Sequence, residues 1–137
     1  MTSGQHASIP EGLSIELSRA KVLPGASHEA DRWMDMLNER LDECVATLDR
    51  ERMAIEIVFR LKENGEDFLY WMMVRGKNAP SGLDPDNALD RDHEAQGRRT
   101  IAPGWTEAEP QVLMLPEPVR QAVLKWALDD RPAKADS

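Results

Sequence analysis

Seven consecutive apolar or aromatic residues, Phe68–Val74, constrain the fold more than any other segment of this chain. Alternate side chains of a strand point to opposite faces, so a strand of this composition has to be covered on both faces. The segment before it, Met53–Leu61, alternates apolar and polar residues, and the Asn64-Gly65 dipeptide between the two segments is typical of a tight hairpin turn. The sequence therefore predicts an antiparallel hairpin whose second strand is buried twice.

A long amphipathic helix is predicted to supply the first cover. Its apolar residues recur at steps of three and four from Ala30 to Leu48, and Ser27 is placed to cap its N-terminus. A chain of 137 residues has little left to supply the second cover. A partner subunit or a ligand cavity is the natural candidate for it.

The remaining elements complete an α+β pattern. They are a strand over 13–22, a helix over 87–96 with Asp86 or Asn87 as its cap and Gly97 as its stop, a strand over 111–115, and a helix that has Pro118 in its first turn. This order predicts a ferredoxin-like β-α-β-β-α-β fold with an antiparallel sheet and an added C-terminal helix. We expect one domain over residues 13–128, a disordered tail over 1–12 and a polar tail over 129–137.

Composition excludes several classes of protein. The chain has 25 acidic and 17 basic residues, and this balance argues against binding to nucleic acid phosphates. No segment approaches the roughly 18 apolar residues that a membrane span needs, and the N-terminus does not resemble a secretory signal. Cys44 is the only cysteine, which excludes an intramolecular disulfide and a Cys-based zinc site. A soluble, cytoplasmic protein is expected.

His93 is the strongest candidate for catalysis, because it lies four residues after Leu89 and is predicted to point inward on the same helix face. An imidazole titrates near pH ~6.5 and is a common general acid or base. The alternative is a structural histidine that ties the helix to the sheet. Tyr70 is the second catalytic candidate, since its phenol could orient a substrate oxygen, although it could equally bond a backbone carbonyl.

Four large side chains are candidates for binding a substrate. Trp33 lies on the first helix, Trp71 and Met72 lie on the doubly apolar strand, and Trp105 lies in a late loop, where it could cover a pocket mouth. Such residues more often form a core or a subunit interface than a pocket lining. No metal site and no cofactor are predicted, because the sequence contains no His-x-x-x-His spacing and no nucleotide-binding loop.

Four polar residues are predicted to share the sheet face opposite the helices: Glu16, Ser18, Glu56 and Arg60. Across neighbouring strands they would form ion pairs at an interface between subunits. We therefore expect these residues to make a dimer contact rather than to take part in catalysis.

The chain resembles small bacterial proteins of the dimeric α+β barrel superfamily. The resemblance lies in the segments Glu29–Trp33, Ile55–Phe59, Phe68–Trp71 and Leu89–His93, and it covers roughly residues 13–115. It is greatest to a bacterial family of unknown function, and more distant to the L-rhamnose mutarotases and the antibiotic-biosynthesis monooxygenases. The resemblance implies a homodimer with face-to-face sheets, a pocket between sheet and helices, and activity without a metal or organic cofactor.

Two functions are open at this point. The first is a cofactor-independent isomerase, cyclase or monooxygenase-like enzyme that binds a small organic molecule and uses His93 as its acid or base. The alternative is a homodimeric binding or structural protein without catalysis, because one histidine and one tyrosine make a small active site. A cavity beside His93 would favour the first, and an interior filled by side chains would favour the second.

Overall fold

The computed structural model describes residues 6–76, 79 and 83–128. In chain order the elements are β1 (Ser14–Lys21), α1 (Ser27–Glu39), α2 (Leu41–Glu51), β2 (Met53–Glu63), β3 (Glu66–Arg75), α3 (Ala88–Thr100), β4 (Thr106–Ala108) and α4 (Glu117–Ala127). The strands form one antiparallel sheet in the order β2-β3-β1-β4. This α+β arrangement confirms the predicted ferredoxin-like fold.

The β2–β3 hairpin forms as predicted and places β3 between two long neighbours. Asn64 and Gly65 form its turn with φ angles of 51° and 78°, in the left-handed region that this dipeptide adopts readily. In the pairing of β2 with β3, Val58 lies opposite Trp71, and β1 pairs with the other edge of β3. The register thus puts Trp71 at the centre of the sheet.

The helices cover the sheet face that carries Trp71. Trp33 of α1 packs against Trp71 with ring centroids 5.2 Å apart, and both rings are buried with Val22, Ala30 and Leu69 in the main core. The prediction that Glu16, Ser18, Glu56 and Arg60 lie on the face away from the helices is therefore wrong. The pairing register places these four residues on the same face as Trp71.

Two of these four residues, Glu16 and Arg60, form ion pairs, and their partners belong to the same chain. Arg60 binds the buried Asp67 of β3 through Nη2 at 2.6 Å and also contacts Asp31 of α1. Arg75 donates from Nε to Glu16 at 2.8 Å. These contacts join neighbouring strands to each other and to α1, and they do not depend on a second subunit.

The predicted long helix is two helices, with a break at Arg40. The backbone of Arg40 (φ −108°, ψ 33°) leaves the helical region, so α2 begins in a new direction. The Arg40 guanidinium donates to Glu43 at 2.7 Å and to Asp92 of α3, which holds the start of α2 beside α3. Ser27 is the first residue of α1 rather than its cap, and its hydroxyl donates to Asp67 instead.

Helix α3 is longer than predicted, because Gly97 does not end it. Asn87 caps the helix as expected, and its side chain accepts a hydrogen bond from the Asp90 backbone N–H. Gly97 lies inside the helix beneath the Trp33 ring, where an added Cβ would lie 3.2 Å from the indole. The glycine thus permits close packing of α1 on α3 instead of stopping the helix.

The fourth strand lies earlier than predicted. Residues 111–115 form no strand, and Val112 and Met114 are exposed. The edge of the sheet is formed by the polar segment Thr106–Ala108, which pairs with β1. The three side chains of this strand are exposed and do not alternate between apolar and polar. The sequence pattern therefore gives no indication of the strand.

The second face of the sheet is covered only at one end. Helix α4 packs there, and Ala127 joins Leu13 and Val74 in a second core. The Trp126 indole donates to the Met53 carbonyl oxygen at 3.3 Å. Towards the other end, this open sheet face exposes four apolar residues: Leu17, Ile57, Phe59 and Leu61.

Residues 6–12, which precede β1, contact the segment that precedes α4. Residues 6–12 form turns in which Ile9 is buried, and the Ser8 hydroxyl accepts a hydrogen bond from the Leu113 N–H at 3.1 Å. Residues 1–5 and the predicted polar tail 129–137 lie outside the described residues. None of the helices in the described ranges has the length and apolarity that a membrane crossing requires.

Candidate active site

A cavity of about 330 Å³ lies between α2 and the helix-covered face of the sheet. This volume is at the small end of the range for pockets that bind organic ligands, roughly 300–1,000 Å³. Its walls come from the end of α1, from α2, from the middle of β2 and β3, and from the start of α3. The lining side chains are Met34, Leu37, Asn38, Leu41, Cys44, Val45, Thr47, Leu48, Glu51, Glu56, Val58, Trp71, Leu83, Leu89, Asp90 and His93.

The break at Arg40 creates this space. Helix α1 contributes Ala30 and Trp33 to the main core, whereas after the break only Thr47 of α2 is buried. Leu41 and Val45 of α2 line the cavity although more than half of each is exposed, at 56% and 55%. The cavity therefore opens to solvent beside α2, so a small molecule can enter it.

Two aromatic rings, Trp71 and His93, line the cavity and form a cluster with Trp33, which packs against both of them without lining the cavity. The centroids of Trp33, Trp71 and His93 lie 5.2–5.3 Å from one another, in tilted arrangements that aromatic pairs favour. Trp33 and Trp71 are buried. The ring of His93, a residue of α3, therefore packs against two buried side chains. This cluster brings together three of the residues predicted for the site.

The hydrogen bond from Trp33 defines the protonation of His93. The indole Nε1–H of Trp33 donates to Nδ1 of His93 at 2.8 Å, so Nδ1 has to be an unprotonated acceptor. Burial lowers the pKa of His93 below its usual value, although the negative charge of Asp90 opposes this effect. At neutral pH the ring is therefore neutral and carries its proton on Nε2, which makes His93 a hydrogen-bond donor rather than a base.

Glu56 of β2 supplies a carboxyl group to the same cavity. Its Oε2 accepts a hydrogen bond from Trp71 Nε1 at 2.5 Å. The side chain remains accessible, yet the surrounding protein desolvates the carboxyl and raises its pKa. The Trp71 hydrogen bond partly opposes the rise, and the charge of Asp90 adds to it. A carboxyl with a raised pKa is a stronger base when ionised than an ordinary glutamate.

Asp90 has a structural role at the cavity wall. It is buried, and its Oδ2 accepts from Arg50 Nη2 at 2.8 Å and from the Asp84 backbone N–H at 2.9 Å. These contacts tie the end of α2 and the segment before α3 to the first turn of α3. Two donors stabilise the charge of this carboxylate, so Asp90 is suited to holding the site together.

Two other titratable groups line the cavity. Glu51, the last residue of α2, has a raised pKa because the protein desolvates it and because the charges of Glu56 and Asp90 lie nearby. Burial also raises the pKa of the Cys44 thiol, which keeps it protonated and unreactive at neutral pH. No group of three or more His, Cys, Asp or Glu side chains in the described part of the chain is arranged to hold a metal ion.

The other predicted site residues lie away from the cavity. Tyr70 and Met72 alternate with Trp71 on β3 and therefore face the open side of the sheet, opposite Phe59 and Ile57 of β2. Trp105 packs edge-on against Trp71 with centroids 6.1 Å apart, but it does not line the cavity. The structure thus brings His93, Trp33 and Trp71 together, places Trp105 against the edge of this cluster, and leaves Tyr70 and Met72 on the other face of the sheet.

Sequence reasoning missed Glu56 and Glu51 as site residues. The sequence pattern predicts a dimer contact for Glu56, on the sheet face opposite the helices, and makes no prediction for Glu51. The available signal was that Glu56 shares a strand face with Val58, which lies opposite Trp71 on the paired strand. It became interpretable only once the register showed which face α1 and α2 cover.

The tautomer of His93 provides a test of this geometry. In Trp33→Phe the ring at position 33 remains but the donor to Nδ1 is lost, so we expect His93 to exchange between its two neutral tautomers. Two-dimensional ¹H–¹⁵N spectra of the imidazole would show the Nε2–H form alone in the wild type and averaged nitrogen shifts in the variant. Trp126→Phe is the control, since its indole donates to Met53 instead. Identical imidazole spectra for the wild type and Trp33→Phe would contradict the assignment.

Fold and site together define a ferredoxin-like α+β protein with a cavity between its helices and its sheet. The chain belongs to the family of unknown function DUF6176, whose model matches residues 13–121. This confirms the expected likeness to a family of unknown function. No match supports the resemblance to L-rhamnose mutarotases or to antibiotic-biosynthesis monooxygenases. No curated protein and no solved structure matches the chain.

Proposed function

We propose that this protein binds a small organic carbonyl compound in the cavity and isomerises it by moving a proton at the carbon next to the carbonyl group. The observation that supports the proposal is the presence of the Glu56 carboxyl and the His93 imidazole in one cavity, each in contact with Trp71. One group accepts protons and the other donates hydrogen bonds, which is the combination that enolisation requires.

The proposed reaction has two steps. The Glu56 carboxylate takes a proton from the carbon next to the carbonyl, and the C–H electron pair becomes the C=C bond of an enolate. The negative charge develops on the carbonyl oxygen, where Nε2–H of His93 donates a hydrogen bond. Protonated Glu56 then returns the proton and is restored to the carboxylate. Return to a different carbon of a conjugated enolate gives the isomer, and return to the same carbon regenerates the carbonyl compound. The reaction consumes no oxidant or reductant.

The surroundings of the two groups favour this division of roles. Protein around Glu56 raises its pKa and so increases its strength as a base. Trp33 occupies Nδ1 of His93 and leaves Nε2–H as the donor. A neutral imidazole cannot lose its proton readily to the enolate, so it stabilises the developing charge by hydrogen bonding.

Deuterium exchange tests the proposal with a simple probe. The wild-type protein is incubated with cyclohexanone in D₂O, and proton NMR measures the loss of signal from the carbons next to the carbonyl. We expect exchange faster than in buffer alone, saturable in cyclohexanone, and strongly reduced in Glu56→Gln. Saturable binding of cyclohexanone without exchange would contradict catalysis and favour the non-catalytic alternative.

We also propose that a second copy of the chain covers the open sheet face. The pairing of β1, β3 and β2 sets Leu17, Met72 and Ile57 side by side there. Phe59 and Leu61 beside them are 52% and 48% exposed. Two such faces related by a two-fold axis would bury each other, as in other sheet-on-sheet packings. This arrangement provides the second cover that β3 requires.

Sedimentation velocity tests the dimer. We expect the wild type to sediment as a dimer at micromolar concentration and Phe59→Glu to sediment as a monomer, because the substitution places a charge in the apolar contact. Ala46→Glu is the control, since it adds the same charge on an exposed position of α2. A wild-type monomer under these conditions would refute the dimer.

A further inference from the structure

The cavity has an unbalanced set of charges. Among the lining residues that the structure describes, three are carboxylic acids and none is Lys or Arg. Asp90 is balanced by Arg50, whose Nη2 lies 2.8 Å from it. The same nitrogen lies 3.9 Å from Glu51, too far for a hydrogen bond. Glu51 has this more distant cation and a hydrogen bond with the Thr47 side chain, and Glu56 has the hydrogen bond from the neutral Trp71 indole. Both therefore face the cavity with less compensating positive charge than Asp90 has.

A tight backbone bend places these two carboxyls on the same cavity. Glu51 ends α2 and Glu56 lies on β2, and between them Arg52 adopts the left-handed conformation with φ 55°. The Glu51 side chain is only 16% exposed. Desolvation raises the pKa of Glu51, and the charge of Glu56 adds to the rise.

Neighbouring carboxyls that the protein desolvates resist ionising together. A cation placed beside them removes this repulsion and allows both to ionise. The rest of the lining is mainly apolar and includes the Trp71 indole, which attracts cations through its ring face. Such a lining suits a cation carried on an organic body better than a hydrated metal ion.

We propose that the ligand of the cavity is an organic cation, with an ammonium or amidinium group bound by Glu51 near Glu56 and an apolar body packed against Val58, Trp71 and Leu89. The proposal rests on the proposed use of the cavity as a ligand site, and it adds the charge class of the substrate. Its substrate would then be an amino-substituted carbonyl compound, in which Glu51 binds the cation while Glu56 stays close to the reacting carbon.

Two matched probes, benzylamine and benzyl alcohol, test the charge preference. They share an apolar ring and differ in carrying an ammonium group or a neutral hydroxyl. Binding is followed by the ¹⁵N–¹H signal of the Trp71 indole at neutral pH. We expect benzylamine to bind at least tenfold more tightly than benzyl alcohol. Glu51→Gln should remove most of this difference, and Glu39→Gln, which alters an exposed carboxyl of α1 outside the cavity, should preserve it.

Three outcomes would overturn the inference. Equal binding of the two probes would show that charge is not recognised. An equal preference for benzylamine over benzyl alcohol in Glu51→Gln and in the wild type would show that Glu51 does not recognise the positive charge. Displacement of benzylamine by magnesium or zinc chloride at micromolar concentration would show a metal site instead.

Deuterium exchange into cyclohexanone, measured separately on the wild type, distinguishes failure of this inference from failure of the proposed function. If exchange occurs and the amine has no advantage, the charge inference is wrong and the proposed catalysis stands. If the amine has the expected advantage and no exchange occurs, the catalytic proposal is wrong and the charge preference stands.

Discussion

If the proposed function holds, replacing Glu56 by Gln is expected to lower the rate of protein-dependent deuterium exchange into cyclohexanone by about 10³-fold. General base catalysis by a positioned side chain contributes typically about 10²–10⁴-fold, and the amide keeps the size of the side chain but cannot accept the proton. The amide oxygen can still accept the Trp71 hydrogen bond, so the fold and the cavity should persist. Glu39→Gln is the control and should exchange at the wild-type rate.

The pH dependence of the exchange rate in the wild-type protein is a second test of Glu56 as the base. Glu56 acts as a base only when ionised, so the rate should fall as the pH drops through its pKa. Because the protein raises this pKa, the fall should begin at a higher pH than an ordinary glutamate would give, which titrates near pH ~4.3. An unchanged rate in Glu56→Gln, or a rate independent of pH between about 4 and 7, would show that another group is the base.

Replacing Gly76 by Ala is expected to lower the free energy of unfolding by about 3 kcal/mol, at the upper end of the usual cost of overpacking. An added Cβ would lie 2.0 Å from the Ala127 carbonyl oxygen and 2.6 Å from its carbon. These are backbone atoms of α4, so the helix would have to move away from the sheet. The Gly76 N–H also donates to the Arg52 carbonyl at 2.8 Å, which limits movement on its own side.

Urea denaturation of Gly76→Ala and Gly97→Ala provides a matched comparison. At Gly97 the added Cβ would meet only the Trp33 side chain, at 3.2 Å, and alanine favours a helix by about 1 kcal/mol over glycine. We therefore expect a much smaller loss at Gly97. Equal stability of Gly76→Ala and the wild type would show that α4 does not pack on the sheet as described.

The fold could be predicted where local patterns are strong. The doubly apolar Phe68–Val74 segment and the Asn64-Gly65 turn determined the hairpin, because alternation and turn chemistry act over a few residues. Asn87 was recognisable as a cap and Pro118 as a first-turn residue for the same reason. The order of these elements was then sufficient for the ferredoxin-like topology.

The errors occur where tertiary packing overrides a local signal. Gly97 was expected to end α3, but the contact with Trp33 gives this glycine a packing role inside the helix. The break at Arg40 interrupts an apolar periodicity that continues without a gap, and Arg40 is held by Asp92 from a distant helix. Neither contact can be derived from the neighbouring sequence.

The candidate site was predicted in part. His93 was identified because its spacing from Leu89 fixes the direction of its side chain on a helix. Tyr70 and Met72 were grouped with Trp71 because the strand is apolar on both faces, and composition alone does not show which face the helices cover. Glu56 was missed for the same reason, since its role depends on the register with Trp71.

The position of bound cyclohexanone tests the central claim most directly. Intermolecular nuclear Overhauser effects in the labelled wild-type protein report which side chains lie next to the ketone. The account predicts effects to the ring protons of Trp71 and His93 and to the methyl groups of Val58. Effects confined to Phe59, Tyr70 or Met72 on the open sheet face would contradict the assignment of this cavity as the active site.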